Sequence, residues 1–482
     1  MSVRAQWLWP LAILVVGVAG CSVSRPQVSV EQPETSFTSQ KTFGESLPDR
    51  MPTRRQEDLP DLTKDSPLSA YLEYAALNNP ALREAFQEWK AALERVPQVE
   101  ALPDPRFSLG YLIQEIETRV GPQEWRAGLK QTFPWFGKLD LKGDMVALRA
   151  QAAWQRFHAE KLHLFHRVKK AYAEYFYLSR AIEVTRKHRD LVEYLEEVAR
   201  TQYRTGIAPH SAVIKAQVER GKLEDRLASL KDLKDARAAR LNAALGRRAD
   251  APLPWPVTLS QERVKIRSEK LMAQLRESNP RLKALRRNVE RAESAVDLAE
   301  LRYYPDITAG LSYMYTDSAI MSGVDDSGKD PILATLSINL PLWWDAYRAG
   351  EREKLSRLRS ARRKLEDRTR KLEAELELAA YGVQDARRKI NLYGDSLIPQ
   401  ARESLEATRA SFKAGDADIL ALLDAERMLL EFRLERERAV ADHLQSVAKL
   451  EMLVGRRMDA KEKSEPDDAG QGGGPGQTGS GD

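Results

Sequence analysis

Six histidines and one cysteine are the side chains of this 482-residue chain best suited to metal or nucleophilic chemistry. His163 and His166 stand at i and i+3 in a helical pattern, a spacing at which two imidazoles can share a divalent metal. No carboxylate or cysteine completes that pair, so solvated or packing histidines are the better reading, for His158 as well. His210 falls at an expected helix turn, where simple exposure accounts for it. Cys21 stands alone, which excludes an internal disulfide, a CxxC motif and a site built from several thiolates. No GxSxG, P-loop, HExxH or Rossmann pattern occurs. No catalytic residue is therefore assigned, and an enzyme is not expected.

Composition narrows the class further. Charged residues make up 30% and apolar residues 42%, with a mean hydropathy of −0.51, too polar for a bundle of membrane-spanning helices. Net charge is only +5, because acids and bases interleave along the chain. Such interleaving marks long solvated helix faces, and a nucleic-acid partner is not expected. The basic run from Arg348 to Lys371 follows this rule, since Glu351, Glu353, Glu366 and Asp367 interrupt it.

The first twenty residues read as an address. Arg4 precedes an apolar run from Trp7 to Val18, and Val18-Ala19-Gly20 abut Cys21. The run holds Pro10 and is shorter than the roughly 20 residues of a membrane span. VAGC resembles the bacterial lipobox, which implies cleavage before Cys21 and a covalent diacylglycerol and N-acyl lipid on it. Ser22 after the cysteine favours the outer membrane. Residues 21–65 are expected to form an extended lipid-anchored segment, and residues 459–482, with GQGGGPGQTGSGD, a disordered Gly-rich tail.

Between these ends the sequence repeats. Asn79-Pro80 recurs as Asn279-Pro280, Pro105 as Pro305 and Gly110 as Gly310, and later Pro134 pairs with Pro341, Gly206 with Gly415 and LGRR (245–248) with VGRR (454–457). Six markers in one order indicate duplication, with repeats over 66–255 and 256–458. Each reads helix, strand, strand, helix, helix. Strands are expected at about 106–114, 124–133, 306–316 and 331–340, where apolar residues alternate with small or polar ones. Trp125, Ala127, Leu129 and Phe133 share one face, whereas Arg126, Gly128, Lys130 and Thr132 share the other.

Strands of about 9 to 11 residues are long enough to cross an outer membrane. Four cannot close a barrel, which needs at least about eight, and an open edge in lipid costs several kcal/mol per unsatisfied group. If they span, copies must assemble, with Arg126 and Lys130 lining the lumen. The helices after the second and fourth strands are long, and seams such as Leu372, Leu376, Ala379 and Val383 point to coiled-coil packing.

On YPDITAGLSY (304–313), INLPLWWDAYRAGER (338–352), YRTGIAPHSAVIKAQVE (203–219) and AGDADILALLDAE (414–426), residues 66–457 resemble the TolC family of outer-membrane efflux ducts. The lipobox and YRTG…IKAQVE are more similar to its CzcC/CusC-like heavy-metal branch. The resemblance implies an α+β membrane protein with the duplicated TolC-like repeat, forming a homotrimer whose 12-stranded β-barrel continues into a long periplasmic α-helical barrel. It implies a periplasmic adaptor (membrane fusion) protein and an inner-membrane pump of RND type as partners, and efflux, with heavy-metal cations as one cargo. It also implies acidic gate residues at the periplasmic tip. Asp424 matches such a position, Ala421 stands where a second aspartate is frequent, and Asp416 and Asp418 lie nearer the turn. Helix capping is the alternative for the last two. Other readings are a type I protein-secretion duct in the same fold and a periplasmic coiled-coil adaptor or scaffold lipoprotein, whose lipoyl-like segments the sequence lacks.

Overall fold

The computed structural model describes residues 61–257, 259, 266–414 and 416–458. Cys21, the leader, most of the anchored segment, Gly415 and the Gly-rich tail lie outside the described residues. Three helices, α1 (Leu68–Asn78), α2 (Pro80–Leu93) and α3 (Arg95–Glu100), lead into strands β1 (Arg106–Ile116) and β2 (Gln123–Phe133). Helices α4 (Lys138–Arg204) and α5 (His210–Leu245) complete the first half. The second half runs α6 (Ser268–Ser278), α7 (Pro280–Glu300), β3 (Ile307–Thr316), β4 (Ile332–Ile338), α8 (Trp344–Asn391), α9 (Ile398–Ala414) and α10 (Ile419–Val454). Among the described residues no helix is long and apolar enough to cross a membrane.

The duplicated Asn-Pro and Gly-Arg-Arg markers touch one another. In each half the asparagine Oδ1 accepts two hydrogen bonds from the following helix start, Ala81 and Leu82 N–H for Asn79, Arg281 and Leu282 N–H for Asn279. Proline then occupies the first helical position, where no N–H is needed. The Nδ2 of Asn79 donates to the Ala244 carbonyl and that of Asn279 to the Leu453 carbonyl, near the C-termini of α5 and α10. Gly246 and Gly455 end those helices in the left-handed region, at φ of 74° and 88°. A β-carbon on either would lie 2.8 Å from the carbonyl of Asn78 or Ser278, so only glycine lets the two segments approach.

Length comes from α4, whose 67 residues extend about 100 Å. The corresponding stretch of the second half is interrupted by a π-helical turn, Leu392–Leu397, just before Pro399. Proline lacks an N–H and its ring crowds the preceding turn, and one wide turn relieves both. Near the helix-helix turns, Leu195, Ala199, Val213, Leu405, Ile419 and Leu422 share one buried core, so both turns lie at the same end. The strands occupy the other.

The four strands form one antiparallel sheet in the order β1-β2-β3-β4. The central pair joins the two halves, with Leu129 opposite Leu311 and Lys130 opposite Gly310. β1 is irregular between Tyr111 and Ile116. β4 ends at Ile338, short of Pro341; beyond it the Asn339 N–H donates to the Asp306 carbonyl at 3.4 Å while the Asn339 side chain accepts the Asp306 N–H.

Candidate functional site: the strand wall and the helical tip

Register assigns two faces to the sheet. Phe107, Leu109 and Tyr111 align with Trp125, Ala127 and Leu129, then with Leu311 and Tyr313, and finally with Ile332 and Ala334. This apolar face is open. Phe107, Leu109, Tyr111 and Leu336 are each about 70% exposed (70%, 69%, 71% and 75%), so the protomer's own helices do not cover it. Its ends carry aromatic rings: Trp125 stacks on Tyr315 at 5.6 Å at one end, and Trp135 stacks on Tyr304 at 5.3 Å at the other. Trp135 stands two residues past the end of β2, so the ten-residue separation is at most about 33 Å, which a tilt of about 40° reduces to about 25 Å or less. That is the height of an outer-membrane apolar band, flanked as expected by aromatic girdles.

The opposite face is small and polar. Arg126 and Lys130 both lie on it, exposed, with Ser108, Gly128 and Ser312 between them. Arg126 crosses Gly110, where a β-carbon would meet its Cγ and Nε at 3.3 Å, and Lys130 crosses Gly310, where its Cγ would be met at 3.0 Å.

The join between sheet and helices is clamped by Asp306. Its Oδ1 accepts from Lys138 Nζ at 2.8 Å and from the Trp135 N–H at 2.9 Å, while the same ammonium reaches the Tyr304 carbonyl at 2.8 Å. Burial works against this carboxylate, but the hydrogen bonds from Lys138 and Trp135 outweigh it and hold the pKa below the ordinary 3.8. A depressed acid stabilises above its unfolded pKa and ceases to as pH falls through the folded value, so the clamp holds at neutral pH and loosens only below about pH 4. Asp306→Ala is expected to lower stability by about 1 to 2 kcal/mol after allowance for partial exposure. Thermal melting of the detergent-extracted protein checks this, and an unchanged midpoint would contradict it.

At the tip, the three aspartates have different roles. Asp418 caps α10, its Oδ1 accepting the Ala421 N–H at 3.0 Å. Asp416 is exposed in the turn, its N–H bonded to the Ser411 carbonyl at 2.9 Å. Asp424 is 73% exposed and pairs at 3.2 Å with Arg427. Arg427 also grips Glu219 on α5 through two nitrogens, at 2.8 and 3.3 Å, which holds the Glu219 carboxyl below its usual range. Lys222 Nζ lies 3.7 Å from the same Glu219 carboxylate, so the two acids and two bases of this cluster balance. Nothing local in the sequence signals that Arg427 meets a residue 208 positions earlier. The same is true of His188 and Glu426, both buried, whose Nδ1 and Oε2 lie 3.1 Å apart between α4 and α10.

The histidine pair lies among cationic side chains. His163 Nδ1 is 3.9 Å from Glu160, whose carboxylate already holds Arg167 at 2.9 Å. Burial, with Lys449, Lys170 and Lys169 nearby, pushes His166 down to about 4, and burial with Lys161 and Lys283 does the same to His158. A divalent cation would meet this positive surrounding. Among the described residues no group of three or more metal-ligating side chains forms. His210 packs on Tyr203 at 5.0 Å.

A sheet with one face suited to hydrocarbon and one to water, set on helices too polar to enter the bilayer, defines the wall segment of an outer-membrane channel. The chain belongs to the outer membrane efflux protein family, whose model matches residues 71–247 and 271–456. It is an exit channel for efflux in the outer membrane, with its helical part in the periplasm. Outer membrane protein TolC of Vibrio cholerae serotype O1 is 22% identical over 400 residues, covering 80% of this chain and 90% of that protein. Among solved structures, VceC from Vibrio cholerae superposes with a TM-score of 0.67 at 19% identity, over 81% of this chain and 97% of VceC. CusC superposes at 0.70 with 17% identity, over 86% and 99%.

Proposed function

We propose that three copies close a twelve-stranded barrel and a helical tube beneath it, forming a duct that is tethered through diacylglycerol and an N-acyl chain on Cys21. The observation that carries this is the uncovered apolar face of a four-stranded sheet with two free edges. Hydrocarbon satisfies the face, but only neighbouring copies satisfy the edges. A periplasmic adaptor and an inner-membrane pump of RND type deliver cargo to the tip, where Asp424, with Asp416 in the turn before α10, forms a ring of negative charge from three copies. Like charges brought together resist closure, and Arg427 moderates them. The pump supplies the energy, and no residue of this chain takes part in catalysis.

The resemblance to the heavy-metal branch makes metal salts part of the test. In a deletion strain challenged with metal salts and antibiotics, efflux predicts lost tolerance to at least one class of compound. Unchanged tolerance to every metal with lost tolerance to organic compounds rejects the metal branch. Unchanged tolerance throughout, with loss of a secreted protein, would favour the type I secretion duct. A heat-modifiable band at the trimer mass in detergent, with conductance in planar bilayers, is expected of the purified protein. A soluble monomer after removal of the lipid would contradict the assembly and favour the scaffold reading.

A further inference from the structure

We infer that the barrel is lined by an anion-preferring ring, so that the cargo it passes most readily is anionic and free divalent cations are disfavoured there. This rests on the closed barrel proposed above. Arg106, Arg126 and Lys130 are the basic residues of the polar strand face, and Arg106 lies directly opposite Lys130 in the β1–β2 register. Like charges opposite one another weaken a sheet, and no carboxylate among the described residues forms an ion pair with any of the three. A fold that keeps two cations face to face without a compensating acid is using the charge for something other than stability.

Closure would not supply the missing acid. The strand brought beside β1 is a neighbour's β4, whose polar-face residues at the register positions of Thr308, Gly310 and Ser312 are Ser337, Thr335 and Leu333. Carboxylates stand at both ends of the sheet: at the inner end Asp104 precedes Arg106 by two residues and Asp306 is held by Lys138 and the Trp135 N–H, and the others lie toward the outer end. Glu124 sits at the irregular step of β2, and Asp330 is occupied by the Tyr313 hydroxyl and by the Thr316 N–H at 2.8 Å. Gly110 and Gly310 add an independent sign of design. Gly110 clears space for the Arg126 stem, and Gly310 does so for Thr335, whose Oγ1 a β-carbon would meet at 2.6 Å, and for the Lys130 stem at 3.0 Å. Three copies place these charges around the whole circumference, with low-dielectric walls that focus their field on the passage.

The test is the chloride-to-potassium permeability ratio of full-length protein in planar bilayers, read from the reversal potential across a KCl gradient. The parent is expected to favour chloride. The double variant R126Q/K130Q is expected to reduce the ratio by about three-fold or more at low salt, while R126K/K130R keeps it. A potassium-preferring parent, or a ratio unmoved in R126Q/K130Q channels that still conduct, overturns the inference and leaves the duct standing. A parent that assembles and inserts but does not conduct overturns the duct itself.

Discussion

Arginine in place of Leu311 is expected to abolish the assembled outer-membrane species, whereas arginine in place of the adjacent Ser312 leaves it within about two-fold of the parent. The contrast follows from pleat alone, since neighbouring residues of a strand face opposite sides. Leu311 lies at the middle of the apolar face, opposite Leu129 and Ala334, and is exposed to whatever surrounds the sheet. An arginine at the bilayer midplane of a barrel costs about 2 to 4 kcal/mol, and the proposed trimer would bear that cost three times. Ser312 shares its face with Gly128, where a longer side chain extends into water. The amount of heat-modifiable band in isolated outer membranes reads both variants. Equal loss in the two would mean that the faces are not distinguished by lipid.

The second large effect is expected at Asn279. Alanine there removes a helix cap worth about 1 kcal/mol and strands the Leu453 carbonyl in a buried site, for a further penalty of about 1 to 3 kcal/mol. The loss should appear as a lower melting midpoint with no change in selectivity. Asn79→Ala should produce a similar loss, because its twin contacts bridge α2 and α5. A pair of variants indistinguishable from the parent would show that the duplicated marker is a sequence relic without structural weight.

These two sites also show what the sequence reveals on its own. Alternation along β2 and β3 exposes the two-faced sheet because a strand repeats every second residue, and Leu311 and Ser312 can be told apart without coordinates. The Asn-Pro and Gly-Arg-Arg repeats expose the duplication, though not the reason for it, since the contact between them spans 174 residues in the second half. Roles set by long-range partners are hidden for the same physical reason. Asp306 follows Pro305 in a conspicuous motif, yet its partner Lys138 is 168 positions away. The aspartates of the tip are visible as acids. Only the structure separates Asp418, spent on a helix cap, from Asp424, which shares Arg427 with Glu219.

The most direct measurement is thiol accessibility in intact outer-membrane vesicles, using single cysteines at Leu311 and Ser312. A membrane-impermeant maleimide should label Ser312→Cys from the aqueous passage and leave Leu311→Cys unmodified, while a lipid-soluble maleimide should label Leu311→Cys. Rapid labelling of Leu311→Cys by the impermeant reagent would place the apolar face in water and contradict a barrel wall made from this sheet.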